Sequence, residues 1–255
     1  MHIHTTAAWT AVMLSVIGVG GFAGEWSQVA VDGVAPVVAV ATAAATPAGT
    51  TAAAAVAAVK PAVVSIAFNS EEELRAKMKW VAVKYGGERV QTLDEESCLL
   101  LAQAAAERAG LHKVGLSYED VYGLINAETS WIPRSGMGKN GVASMGLAQF
   151  EPRTAKGLGL KDPNDPVQAV YFAAINMKHG AQWASDRIAH LKLTPDQYAL
   201  KMREGVSIYY NLSVKGRNKW DGTNTTDLPI ETQRHIQNVR TGAEKAADLA
   251  EEIWS

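Results

Sequence analysis

Glu128 is the residue of this sequence with the clearest potential for acid–base chemistry. It stands near the end of an apolar segment with helical spacing, three residues before Trp131, and a glycine-rich stretch follows. Burial at the edge of an apolar element disfavours the charged form of a carboxylic acid. Such a group can hold a proton near neutral pH and donate it during a reaction. Taken alone the pattern is weak, because most glutamates at helix ends are simply solvated.

The glycine-rich stretch 135–150, SGMGKNGVASMGLAQF, is the second candidate feature. Its glycines allow the backbone to approach a ligand closely. Gln149 offers both an amide donor and a carbonyl acceptor to a polar ligand such as a sugar. The same glycine pattern also fits an ordinary long loop.

The third feature is the segment 208–211, IYYN. Aromatic faces suit the C–H surfaces of carbohydrates, and the hydroxyl of Tyr210 can form hydrogen bonds there. A pair of core aromatics would give the same local sequence.

The order and spacing of these segments resemble the lytic transglycosylase family, whose soluble type has a lysozyme-like fold. That family shows a glutamate ending a helix, a GLMQ-type segment with PxTA, an aromatic-Tyr-Asn segment and a late ET helix. The matching segments here, which fall within residues 94–245, are Glu128-Thr129-Ser130-Trp131, Gly146-Leu147-Ala148-Gln149 with Pro152 to Ala155, Tyr210-Asn211, and Pro229-Ile230-Glu231-Thr232 with Val239.

The resemblance implies a substrate, the β-1,4 bond between N-acetylmuramic acid and N-acetylglucosamine in peptidoglycan. Glu128 would protonate the leaving oxygen and then act as a base. The muramyl C6 hydroxyl would attack C1 and give a 1,6-anhydro product, the reaction of a carbon–oxygen lyase. The resemblance implies that Gln149 would position the saccharide, that Tyr210 would hydrogen-bond at the acid and that Asn211 would support the backbone of its segment. Ser144 is the candidate contact for the acetamido group of the substrate. Gly146 and Met145 are the other candidate substrate-binding residues, and Met145 either lines the groove or serves packing.

Three departures from the family pattern affect the expected chemistry. Glu151 stands where an apolar residue is usual, either solvated or as a second carboxylate that would favour hydrolysis. His235 aligns with the usual tyrosine of the late helix, so the contact with Glu128 is either lost or dependent on pH. Asn211 is followed by Leu212-Ser213 rather than by Ala-Gly.

Two alternatives to a lytic transglycosylase that the sequence leaves open are a hydrolytic muramidase and a non-catalytic peptidoglycan-docking subunit of a wall-spanning secretion or conjugation assembly. A phage-derived wall-penetration protein is a third, although an N-terminal leader argues against it.

The elements that would carry these residues are predicted to be helices, about seven or eight in all, which makes the fold mainly α. Capping signals favour helices over 70–87, 94–111, 117–131, 165–191 and 231–254. In the first of these, Ser70 opens the helix and Gly86-Gly87 closes it. Alternating strand patterns and hairpin dipeptides between apolar runs are not recognised.

The N-terminal part of the chain differs in composition from the rest. Residues 1–69 carry only three charged side chains, Glu25, Asp32 and Lys60. Residues 5–24 are uncharged and long enough for a signal peptide or a membrane anchor. We therefore expect a leader over 1–24, an Ala/Val/Thr/Pro-rich linker over 25–69 and the folded domain over 70–255. The expected location is exported, periplasmic or anchored in the inner membrane facing the periplasm.

Composition and charge exclude several other classes. With 24 basic and 26 acidic residues, the net charge of −2 argues against a nucleic-acid partner. The single cysteine, Cys98, excludes an intrachain disulfide and a cysteine-rich zinc site. Cys98 lies in an apolar helical run and is predicted to be a buried thiol. No metal site or cofactor is expected, and peptidoglycan glycan strands are the expected partner.

Overall fold

The structure is a computed structural model that describes residues 70–138 and 141–255. The leader over 1–24 and the linker over 25–69 lie outside the described residues. The α-helices are α1 Glu71–Lys77, α2 Glu95–Ala109, α3 Tyr118–Thr129, α4 Pro152–Leu158, α5 Pro166–Ile188, α6 Pro195–Asn211, α7 Val214–Arg217 and α8 Ile230–Trp254. The strands are β1 Trp80–Tyr85, β2 Glu88–Leu93, β3 Gly136–Met137 and β4 Ala143–Ser144, and short 3₁₀ turns occupy Leu111–Val114 and Thr225–Asp227. The prediction of a mainly α fold is confirmed.

Side-chain caps fix where the long helices begin. The carboxylate of Asp94 accepts a hydrogen bond from the backbone N–H of Ser97 at the start of α2, and Asp165 caps Gln168 in the same way in α5. Gly110 ends α2 in the left-handed conformation that glycine adopts without strain. These boundaries agree with the helices predicted over 94–111 and 165–191.

The helix predicted over 70–87 is wrong beyond its first two turns. Helix α1 ends at Lys77, and the chain continues as an antiparallel hairpin in which Trp80 pairs with Leu93 and Tyr85 with Glu88. Gly86 and Gly87 both have positive φ and form the turn of that hairpin. The Gly-Gly pair is therefore a hairpin signal, which the β-branched and aromatic residues of WVAVKY support.

Helix α3 runs through the middle of the domain and packs against α2 and α8. Glycines make its crossing with α8 very close, since a Cβ atom added at Gly123 would lie 2.3 Å from the carbonyl oxygen of Val239. A salt bridge between Asp120 and Arg203, with Nε–Oδ1 at 2.7 Å, ties the start of α3 to α6. These two contacts fix the start of α3 against α6 and its middle against α8.

Trp220 and Trp183 pack the far side of α6. Trp220 is fully buried and stacks on Trp183 with 5.6 Å between ring centroids. Its indole N–H donates to the hydroxyl of Thr225 at 2.9 Å. Both tryptophans therefore serve packing.

Cys98 lies in α2 and is buried, as predicted. Burial, with a smaller contribution from Asp94, raises the pKa of the Cys98 thiol far above its usual range. Because each unit of pKa lowers the thiolate fraction tenfold, iodoacetamide should modify the native protein at least about a hundredfold more slowly than the unfolded protein. Mass spectrometry in the presence and absence of denaturant measures both rates. Fast modification of the folded chain would show that this region of α2 opens readily.

Candidate active site

Glu128 is the penultimate residue of α3, and its carboxyl group points into the domain. Its side chain is only 3% exposed. Carboxylates are rarely buried to this extent unless they have a partner. The partner is His235 of α8, whose Nε2 lies 3.0 Å from Oε1 of Glu128.

The imidazole of His235 has a second partner on its other side. Its Nδ1 lies 2.7 Å from the hydroxyl oxygen of Ser207 on α6. The side chain of His235 is 9% exposed, and Ser207 is fully buried. Three helices thus contribute one residue each to the chain of hydrogen bonds Glu128–His235–Ser207.

Helix α3 ends abruptly just after Glu128. Ser130 and Trp131 both have positive φ, at 53° and 62°, a backbone conformation that residues other than glycine seldom adopt. The guanidinium of Arg134 stabilises this exit by donating to the carbonyl oxygens of Glu128 and Thr129, both at 2.7 Å. A cation at this point also interacts favourably with the C-terminal end of the helix dipole.

Gln149 lies in a tight turn over 145–150, where Met145 and Phe150 exchange backbone hydrogen bonds at 3.1 and 3.2 Å. Its own φ is 50°. The amide nitrogen donates to the carbonyl oxygens of Arg134 and Gly146, at 2.8 and 2.9 Å, and the amide oxygen accepts from the hydroxyl of Ser144 at 2.8 Å. Both N–H groups of the side chain are therefore used within the protein, and a sugar contact through this nitrogen would require one of them to change partner.

This turn is attached directly to the end of α3. The hydroxyl of Thr129, next to Glu128, donates to the carbonyl oxygen of Leu147 at 3.0 Å. On the other side, the phenol of Tyr210 donates to the carbonyl oxygen of Ala148 at 2.9 Å. The position of Glu128 is therefore coupled to that of the glutamine turn and of α6.

Tyr210 has a buried hydroxyl group close to Glu128. Burial, and to a smaller extent the nearby Glu128, raise the pKa of Tyr210 well above its usual value. The phenol is consequently neutral and a hydrogen-bond donor. Its proton goes to the carbonyl oxygen of Ala148 rather than to the carboxyl group of Glu128.

The structure brings the residues implied by the resemblance into one neighbourhood. Gly146 closes the glutamine turn with φ of 72°, and Met145 is half-buried in the same turn. Asn211, at the end of α6, accepts a hydrogen bond from Thr232 of α8 at 3.0 Å and so joins these two helices. Glu151 occupies the N-cap position of α4. The substrate roles of these residues stay predictions.

Two residues of this neighbourhood, Ser207 and Arg134, were not predicted from the sequence. Ser207 precedes Tyr210 by one helical turn, and that spacing is the only signal that places it on the same face of α6. Arg134 gives no sequence signal, because its partners are backbone carbonyls. His235 was recognised as a departure from the family, and the structure shows that its contact with Glu128 is made.

The hairpin β1–β2 borders the site on the outside. The hydroxyl of Thr92 in β2 donates to the carbonyl oxygen of Trp131 at 2.6 Å. The ring of Tyr85, at the tip of the hairpin, has the guanidinium of Arg134 5.4 Å from its centroid. Tyr85 is nevertheless 42% exposed, so an aromatic face remains accessible beside the exit of α3.

Comparison with known proteins gives one short similarity. The chain is 43% identical over 54 residues to a transglycosylase of Enterobacteria phage PRD1, which is 21% of this chain and 19% of the phage protein. The chain therefore matches about a fifth of the length of that relative. No family model and no solved structure matches the chain.

Within residues 70–138 and 141–255, the helices lack the combination of length and apolar character that crossing a membrane requires. Groups of three or more histidine, cysteine or acidic side chains arranged to hold a metal ion are also absent from these two ranges.

Proposed function

We propose that this chain cleaves the β-1,4 bond between N-acetylmuramic acid and N-acetylglucosamine in peptidoglycan, as a lytic transglycosylase. The observation that carries the proposal is the buried carboxyl group of Glu128, held at the end of α3 beside the glutamine turn and Tyr210. The short similarity to a phage transglycosylase supports the same class of reaction.

The proposed first step is proton donation by Glu128. Its carboxylic acid transfers the proton to the glycosidic oxygen while the bond from C1 of the muramyl residue to that oxygen breaks. N-acetylglucosamine then leaves with a hydroxyl group, and Glu128 is left as a carboxylate. The acetamido group of the substrate can stabilise C1 at this point, an exception to the rule that glycosidases use two carboxylates.

The proposed second step returns the proton to Glu128. The carboxylate accepts the proton of the muramyl C6 hydroxyl while that oxygen forms a bond to C1. The 1,6-anhydro product is formed without consuming water, and the acid is regenerated. This step needs the hydroxyl to be held close to C1, which the fixed glutamine turn and the rigid α3 exit would favour.

The proposal includes a location outside the cytoplasm, because peptidoglycan lies there. Residues 5–24 would direct export or anchor the chain in the inner membrane. The expected partner is the glycan strand of the wall.

The test is the mass of the muropeptides that the full-length protein releases from purified sacculi. A lytic transglycosylase releases products that are one water lighter than those of hydrolysis. Products with free reducing ends would instead identify a muramidase and would direct attention to Glu151 as a second carboxylate. Binding to sacculi without any release would favour the docking subunit.

A further inference from the structure

The imidazole of His235 lies between an acid and a hydroxyl group, and each of its nitrogens has one partner. Nε2 is 3.0 Å from Oε1 of Glu128, and Nδ1 is 2.7 Å from Oγ of Ser207. Both distances are those of good hydrogen bonds. The ring is therefore fixed at both ends.

This arrangement gives both imidazole nitrogens a hydrogen-bond partner in either protonation state of Glu128, and no heavy atom has to move. When Glu128 is a carboxylate, Nε2–H donates to it, and Nδ1 accepts from the hydroxyl of Ser207. When Glu128 is a carboxylic acid, its O–H donates to Nε2, and Nδ1–H donates to the oxygen of Ser207. The hydroxyl group makes this exchange possible because it can either donate or accept.

We propose that His235 is a positioning residue that holds the carboxyl group of Glu128 in place in both of its protonation states by sharing one proton with it. The proposal rests on the proposed function. It assigns a role to the histidine found where lytic transglycosylases usually have a tyrosine.

Other ionisable groups that face this pair do not replace His235 in that role. Tyr210 of α6 is neutral, because burial and Glu128 raise its pKa. Arg134, in the segment after α3, binds the backbone oxygen of Glu128. The charged residues one turn before Ser207 in α6 are paired elsewhere, Glu204 with Lys201 and Arg203 with Asp120.

The charged neighbours of His235 on α8 are more exposed to solvent than His235 itself. Arg234 is exposed, and Glu231 is half-exposed at the start of α8. The acid, the imidazole and the serine thus form a buried group of three polar side chains joined by hydrogen bonds.

The expected effect follows from coupled titration. Two groups that share a proton lose the last one at a pH no lower than that at which either would lose it alone. An isolated imidazole titrates close to neutral pH, whereas an isolated glutamate does so near about 4.3. The alkaline limb of the pH profile should therefore depend on His235, and a tyrosine or glutamine at the same place could not supply this effect.

The first experiment compares the pH profiles of kcat/KM for muropeptide release. His235→Gln keeps an amide donor near Glu128 but removes the titratable nitrogen, so its alkaline limb should move towards lower pH. Ser207→Ala is the companion variant, since it removes the hydroxyl group that serves Nδ1 in both states but keeps the ring titratable. Its alkaline limb should move less far towards lower pH than that of His235→Gln. Superimposable profiles of the wild type and His235→Gln would overturn the proposal.

A second measurement does not require activity. The Cε1–H resonance of His235, assigned in the full-length protein with His235→Gln, reports its titration by NMR. The midpoint should fall in Glu128→Gln, because the neutral amide no longer stabilises the charged ring. Identical midpoints in both proteins would overturn the shared proton. Coupled titration in a protein that releases no muropeptides would leave the pair intact and reject the proposed function alone.

Discussion

Glu128→Gln should lower the rate of muropeptide release by at least about a thousandfold, because the amide cannot donate the proton that the leaving sugar oxygen needs. The substitution is isosteric. Nε2 of His235 lies 3.0 Å from Oε1 of Glu128, and it can still donate a hydrogen bond to the amide oxygen of the variant. The melting temperature should therefore stay close to that of the wild type. A coupled assay of released anhydro-muropeptides, together with thermal unfolding, measures both quantities.

Glu244→Gln is the matched control for this experiment. Glu244 is on α8, its side chain is 60% exposed, and it pairs with Arg240 of the same helix. A surface pair of this kind contributes little, so both rate and stability should be unchanged. Wild-type turnover by the Glu128→Gln protein would show that another residue donates the proton. Glu151→Gln would then be the first variant to examine.

The helix boundaries of this domain were predictable because short-range chemistry fixes them. Asp94 and Asp165 cap the backbone N–H groups three residues later, and Gly110 ends its helix with positive φ. These are contacts between residues close in the chain, which the sequence displays directly. They predicted α2 and α5 to within a few residues.

The hairpin was not predicted, since its sequence satisfies two interpretations. Ser70 and Glu73 are a genuine helix start, and the hydroxyl of Ser70 does accept from the N–H of Glu73. The stretch 80–85 continues in the same apolar manner, but its valines and aromatics favour a strand. The Gly86-Gly87 pair ends a helix or turns a hairpin equally well, and pairing with β2 decides between them.

The candidate site shows which of its residues are indicated locally in the sequence. Glu128, Gln149 and Tyr210 lie in segments with a recognisable order along the chain, so they could be named as candidates. The pair Glu128–His235 spans 107 positions, and His235–Ser207 spans 28. Contacts of that range depend on how α3, α6 and α8 pack, which the patterns of individual helices do not specify.

Gly146→Ala should destabilise the domain by about 3 kcal/mol and sharply reduce activity, since two penalties act at one position. Gly146 has φ of 72°, and a Cβ atom there would lie 1.8 Å from the carbonyl oxygen of Pro163. The obstacle is backbone and cannot rotate away. For a domain of this size the melting temperature should fall by roughly 6 to 12 °C. Displacement of the turn would also carry Gln149 away from Ser144 and disturb the bond from Thr129 to Leu147.

Gly157→Ala is the matched control, because it makes the same chemical change at an unconstrained position. Gly157 lies within α4, and a Cβ atom there meets nothing within 4 Å. Alanine in a helix should raise stability by about 0.5 to 1 kcal/mol and leave activity unchanged. If both variants melted like the wild type, the turn would be able to shift away from Pro163. The tight attachment of Gln149 to the end of α3 would then be an incorrect description of how the site is held.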